Sequence, residues 1–154
     1  MDITVENALK SDVDILYNLN KKLIDKYENI NDIAYDEVLR WVYKKITTFI
    51  DDYKRIVINK ETVGFFHFYY QREVDMFELD DFYILDKYQN QGIGSYILND
   101  LLAKTKKPIF LYVFIKNKKA IALYKRHNFI IIENIKNSRY IMRSDIWFYT
   151  LNNL

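Results

Sequence analysis

The chain contains no cysteine, which excludes a disulfide framework, a thiolate metal site and a cysteine nucleophile. Histidine is nearly as scarce: His67 and His127 are the only two, and neither belongs to a nucleophile-elbow pattern, so a Ser-His hydrolase gains no support. No metal site is expected. Long apolar runs are also missing. The longest, Ile109 to Ile115, falls far short of the roughly 18 residues of a transmembrane helix. The start, Met1-Asp2-Ile3-Thr4-Val5-Glu6, carries acids where a signal peptide carries a basic and then a greasy segment. A cytoplasmic protein without a membrane partner is expected. Nor is there an excess of one charge: 23 Lys and Arg face 21 Asp and Glu, a net charge of +2. Duplex nucleic acid demands a broad cationic surface, so no nucleic-acid partner is expected.

What is present is apolar and aromatic. Half of the 154 residues are hydrophobic and 17% are Phe, Trp or Tyr, enough for a substantial core and too much for intrinsic disorder. The length suits a single domain over residues 1–154.

Ser11, with Asp14 three residues later, reads as a capping box, and Val13, Leu16, Leu19, Leu23 and Tyr27 follow at helical spacing, predicting a helix over 12–28. A second begins near Tyr35, with Val38, Val42, Ile46, Phe49 and Tyr53 on one face. The period then changes. Arg55–Asn59 and Val63–Gln71 are β-branched and aromatic runs joined by a polar turn ending near Gly64, and a third run, Val74–Leu85, follows. Beyond it come a helix over 92–105, a strand at Ile109–Ile115 apolar on both faces, a helix over 117–127, a strand from Phe129, and a last strand over Arg139–Thr150 with a bend near Ser144-Asp145. Strand, helix, strand implies a right-handed crossover and one parallel pair. The expected fold is mixed α/β: a mostly antiparallel, twisted central sheet with one parallel pair, flanked by about four helices.

Glycine is rare, three in all, and two of them stand in Gln89-Asn90-Gln91-Gly92-Ile93-Gly94-Ser95, between a strand and a helix. Ordinary loop and helix-start glycines would look the same. Their scarcity and position favour a cradle in which main-chain N–H groups at the positive end of a helix hold a diphosphate. A dinucleotide loop would want a third glycine where Ile97 stands, and a nucleoside-triphosphate loop would want Gly-Lys-Ser/Thr. Neither is met.

Gln89-x-x-Gly92-x-Gly94 after a strand resembles the acetyl-CoA pyrophosphate loop of the GNAT superfamily of N-acetyltransferases, Gln/Arg-x-x-Gly-x-Gly/Ala. The run from Asn117 through Ala120 and Tyr124 to Asn128-Phe129 is similar to that family's N-x-x-A-x-x-x-Y-x-x-x-G-F, with Asn128 in place of the glycine. Asparagine is the next best residue in a left-handed helix C-cap, so the turn survives. The close match runs from about Leu79 to Phe129. It implies a GNAT-like fold, acetyl-CoA as cosubstrate without a metal, and direct transfer to an amine in a ternary complex.

The same resemblance implies site residues. Gln89, Asn90, Gln91, Gly92, Ile93, Gly94 and Ser95 would hold the pyrophosphate, and the main chain of Phe82, Tyr83 and Ile84 would pair with the pantetheine amides. Asn117, Ala120, Ile121 and Tyr124, spaced for one helix face, would meet the thioester end. A leaving thiolate needs a proton or a hydrogen bond, which a phenol supplies, making Tyr124 the candidate general acid. Asn117 is equally an N-cap. Leu79-Asp80-Asp81-Phe82-Tyr83-Ile84 is similar to polyamine-type acetyltransferases, where a catalytic or amine-binding glutamate stands at the place of Asp80; Glu78, on the same strand face, is the backup. Acids there would equally face solvent or pair with lysines.

Asp75, Glu78, Asp80 and Asp81 form an acidic run, while Lys116, Lys118, Lys119, Lys125 and Arg126 crowd the other motif, a division that suits a cationic amine and an anionic cofactor. His67, Tyr69 and Tyr70 are candidates to line an acceptor pocket or simply to build the sheet. Trp147-Phe148-Tyr149 is a candidate homodimer contact or a cover for the core. The expected acceptor is a small primary amine of polyamine or aminoglycoside type, with a protein N-terminus or lysine as the alternative acceptor and a non-catalytic acyl-CoA-binding module as the alternative of another class.

Overall fold

The computed structural model describes residues 2–144. In chain order the elements are β1 (Ile3–Asn7), α1 (Val13–Tyr27), α2 (Tyr35–Phe49), β2 (Tyr53–Ile58), β3 (Glu61–Gln71), β4 (Met76–Ile84), α3 (Ile93–Lys104), β5 (Ile109–Phe114), α4 (Lys118–Arg126), β6 (Phe129–Ile135) and β7 (Arg139–Ser144). The strands hydrogen-bond in the order β1-β2-β3-β4-β5-β7-β6. β4 and β5 are the parallel pair, matched Phe77↔Ile109 and Glu78↔Phe110, while β5–β7 and β6–β7 are antiparallel. This is the expected mixed α/β sheet with four α-helices. Among the described residues no helix is long and apolar enough to cross a membrane.

The described residues divide into two compact units, residues 2–67 with 81–87, and residues 68–80 with 88–144. In the first, α1 buries Val13, Leu16, Asn20 and Ile24, and α2 buries Leu39, Val42 and Ile46. Leu39 thus takes the core position expected of Val38. Tyr53, Ile56 and Phe65 of the same unit are essentially inaccessible as well.

The start of α1 differs from the expected Ser11 cap. A 3-10 turn, Lys10–Asp12, precedes it, and the Asp12 carboxylate accepts from the Leu9 N–H at 2.8 Å and pairs with Arg55 Nε at 3.2 Å. A buried carboxylate needs such partners, and Asp12 is buried whereas Ser11 is exposed. β1 was not anticipated from the sequence. Only Ile3 of its five residues is buried, so the period-2 signal is absent, and it is held by pairing with β2 from Ile3↔Ile58 to Asn7↔Lys54.

The turn between β2 and β3 is Asn59-Lys60, with φ of 51° and 67°, the double left-handed geometry that matches strand twist in a two-residue hairpin. Gly64 lies beyond it, inside β3 and opposite Ile56. A Cβ there would fall 2.3 Å from the Tyr83 carbonyl oxygen, so close backbone approach, not a turn, requires this glycine.

In the second unit α3 buries Ile93, Ile97, Leu98 and Leu101. β5 buries Ile109, Phe110, Leu111 and Val113, but Tyr112 is exposed, with Arg139 5.3 Å from its ring centroid. The Ser144 hydroxyl accepts from the Ile109 N–H at 2.8 Å. Asn128 has φ of 66°, the left-handed conformation expected where a glycine is usual. β7 accounts for the start of the expected last strand; the Ser144-Asp145 bend and Trp147-Phe148-Tyr149 fall largely or wholly outside the described residues.

Candidate active site

The glycine loop opens α3. Gly92 is its N-cap, left-handed at φ 81° and ψ 6°, and Asn90 is also left-handed at φ 62°. Gly94 is different: it is the second residue of α3 and takes no positive φ. Its helical backbone is one any residue adopts, so the turn itself does not require this glycine. The first intrahelical bond runs from Tyr96 N–H to Gly92 O at 3.0 Å, so the N–H groups of Ile93, Gly94 and Ser95 precede the ladder. Nothing lies within 4 Å of a Cβ built on Gly92. An exposed left-handed glycine, open space beside it and a row of N–H groups at a helix start suit a diphosphate. The loop's side chains are placed unequally: Ile93 is buried and anchors the loop, Ser95 and Gln89 are half-buried, and Asn90 and Gln91 are exposed.

α4 supplies the second group. Asn117 caps it, its Oδ1 accepting from the Ala120 N–H at 3.2 Å. Among the described residues only the carbonyl oxygen is used, and the amide nitrogen is a donor. Ile121 and Tyr124 are buried, Ala120 half-buried. The Tyr124 ring packs against Phe129, centroids 5.7 Å apart, and burial pushes its phenol well above the ordinary value of 10, keeping it protonated. Lys119 Nζ donates to Gln89 Oε1 at 3.1 Å, tying α4 to the glycine loop.

The acidic run separates into pairs. Glu78 is buried, accepts from Gln71 Nε2 at 2.8 Å and is hydrogen-bonded by Tyr69. Tyr69 is pushed above its ordinary range by burial first, then by the charges of Glu78 and Asp80. Asp80 is the more accessible acid. Asp75, in the turn before β4, pairs instead with Lys107 at 2.8 Å and with the Tyr70 hydroxyl, which together hold its carboxyl below the usual range.

In the first unit Asp81 interrupts β4. Its φ is 48°, the signature of a bulge that breaks strand alternation, so Glu78, Asp80, Phe82 and Ile84 do not continue one unbroken face. The Asp81 side chain, 6% exposed, meets Lys45 at 3.0 Å, the Tyr53 hydroxyl at 2.5 Å and the Tyr83 hydroxyl at 3.4 Å. Phe82 packs edge-on against Phe66, Tyr83 is buried and Ile84 is half-buried. His67 stacks on Tyr53, centroids 4.5 Å apart, and is buried. Within the second unit Tyr69 feels the charges of Glu78 and Asp80, whereas the Tyr70 hydroxyl bonds Asp75. Among the described residues no group of His, Asp or Glu could hold a metal ion.

Sequence reasoning missed several contacts. Lys45, Tyr69 and Gln71 carry no motif, and their partners are fixed by folding alone. His127, which belongs to no nucleophile-elbow pattern, has its Nδ1 3.1 Å from Asn99 Oδ1 and its Nε2 3.1 Å from Ser95 Oγ. The i, i+4 spacing of Ser95 and Asn99 was the available signal.

The family model described as Acetyltransferase (GNAT) family matches residues 16–129. Solved structures share the fold. An N-acetyltransferase from Staphylococcus aureus Mu50 is 18% identical at a TM-score of 0.69, covering 91% of this chain and 99% of its own. The Paia N-acetyltransferase from Thermoplasma acidophilum, in complex with coenzyme A, is 17% identical at 0.67, covering 94% and 99%. A SpeG spermidine N-acetyltransferase chimera from Vibrio cholerae and hSSAT is 20% identical at 0.63, covering 97% and 99%.

Proposed function

Because this chain belongs to the GNAT acetyltransferase family, we propose that it uses acetyl-CoA to acetylate a primary amine of a small, cationic molecule, of polyamine or aminoglycoside type. Acetyl-CoA supplies the activated acetyl group as a thioester. The observation that carries the reading is the pairing of an open, left-handed Gly92 with the unladdered N–H groups of Ile93, Gly94 and Ser95.

In this reading those N–H groups bind the pyrophosphate, and Lys119 fixes Gln89 so that the loop keeps its shape. Asn117 holds its carbonyl on the helix cap and offers its amide N–H to the pantetheine arm. Tyr124 gives its hydroxyl proton, or a hydrogen bond, to the departing sulfur; burial keeps that proton in place until it is needed. The amine arrives as an ammonium, pKa about 10, and must lose a proton. Asp80, the more accessible acid, receives it directly or through water, while Glu78, braced by Gln71 and Tyr69, attracts the ammonium and fixes its approach.

The spermidine-acetylating relative and the paired carboxylates support a small cationic acceptor over a peptide. Acetyl transfer measured across polyamines, aminoglycosides and peptides tests this. Turnover on polyamines or aminoglycosides is expected; turnover on peptides alone would replace the acceptor, and CoA binding without turnover on any amine would replace the enzyme by a binding module.

A further inference from the structure

We propose that His127 is a positioning residue for the cofactor, its proton deciding whether the Ser95 hydroxyl can donate to the pyrophosphate. The proposal rests on the acetyl-CoA reading above and adds a pH-sensitive element to it.

His127 closes α4 and turns its ring toward α3, where Nδ1 meets Asn99 Oδ1 and Nε2 meets Ser95 Oγ, each at 3.1 Å. Asn99 Oδ1 can only accept, so Nδ1 carries a hydrogen in either charge state. In the neutral ring Nε2 is therefore a lone pair, and Ser95 must spend its hydroxyl hydrogen on it. What the Ser95 oxygen then presents outward is lone pairs, which repel an anion held by the N–H groups of Ile93, Gly94 and Ser95. Once Nε2 is protonated the roles reverse. The imidazolium donates to Ser95 Oγ, the hydroxyl hydrogen turns outward, and it can bond a phosphate oxygen beside a positive charge.

The surroundings keep the switch in its neutral state without ligand. Burial of the half-buried ring, then Arg126 on its own helix, holds His127 below the ordinary 6.5. From α3 the ring meets the uncharged Ser95 and Asn99, and the nearest α3 charges, Asp100 and Lys104, are paired with each other at 2.8 Å. β6, which packs on α4, carries a single charged side chain, the exposed Glu133. A bound diphosphate is the anion that would raise the ring's affinity for a proton. By linkage, CoA affinity then rises as pH falls through the His127 pKa, the gain being complete below the free-protein value and lost above the bound-protein value.

The test uses the whole chain in two measurements. Ring C–H shifts of His127, followed by NMR from pH 5 to 8, are expected to show its pKa rise by about half a unit to one unit on saturation with CoA. Calorimetric CoA titrations over the same range should show affinity gaining about 3- to 10-fold toward low pH, the equivalent of that rise, relative to His127→Gln and Ser95→Ala. The phosphate of CoA titrates against every variant and cancels in the ratio. A His127 pKa unmoved by CoA, or wild-type and His127→Gln profiles that coincide, would overturn the proposal while leaving CoA binding intact. Failure of the wild type to bind CoA at any pH would instead overturn the reading on which it rests, and the proposal with it.

Discussion

Lys119 Nζ lies 3.1 Å from Gln89 Oε1, so the first turn of the helix that carries Tyr124 is fastened to the loop that carries Gly92. The two sequence motifs, tied through residues 30 positions apart, are thereby one piece of structure within a single compact unit.

Tyr124→Phe should lower kcat about 10²-fold, with CoA affinity within about twofold of wild type, because the ring still packs on Phe129 and only the proton is lost. Steady-state kinetics beside calorimetry separates the two effects.

The alkaline behaviour of the same residue follows from its burial. The folded protein holds Tyr124 protonated above the ordinary value of 10, so loss of this acid should not limit turnover between pH 7 and 9. A raised folded pKa contributes stability that is full below the unfolded value and lost as pH rises through the folded one. Denaturant midpoints should therefore fall above pH 10, and Tyr124→Phe should flatten that fall.

The two acids should part company when neutralised. Asp80→Asn is expected to reduce kcat for a cationic amine about 10- to 10²-fold. Glu78→Gln keeps the side-chain length beside Gln71 and Tyr69 and should raise KM more than it lowers kcat. Equal effects on both constants in both variants would contradict the division of labour.

Gly64 and Gly92 should respond to alanine in different ways. Gly64→Ala drives a Cβ to 2.3 Å from the Tyr83 carbonyl oxygen, a backbone atom that cannot step aside, and should cost about 3 kcal/mol or more. Gly92→Ala meets open space but a φ of 81° and should cost about 1–2 kcal/mol. Chemical denaturation measures both.

The sequence made the periodic and motif-bearing parts legible. α1 and α2 follow from apolar residues at helical spacing, and Asn128 from the left-handed turn its motif position demands. What stayed hidden depends on partners distant in sequence. Asp81 reads as one more residue of a regular strand, yet Lys45 and Tyr53, 36 and 28 positions earlier, capture its carboxylate where the strand bulges. β1 offers a single buried side chain and is made by pairing with β2. Ser11 looked like the helix cap because local spacing cannot reveal that Arg55 draws Asp12 inward. At the site, the glycine loop, Asn117 and Tyr124 were readable as motifs, whereas the brace of Gln71 and Tyr69 on Glu78 arises only when β3 and β4 fold together.

The most direct measurement is calorimetric titration of CoA into the wild-type protein and into Gly94→Asp. An aspartate at the second position of α3 suits the helix dipole, so the variant should fold with an unchanged or higher Tm while its carboxylate faces the diphosphate. Saturable one-to-one binding by wild type, weakened at least about 10²-fold in Gly94→Asp, roughly 2.7 kcal/mol, is expected. Equal affinity in the two proteins, or no binding by wild type, would contradict the assignment of this loop.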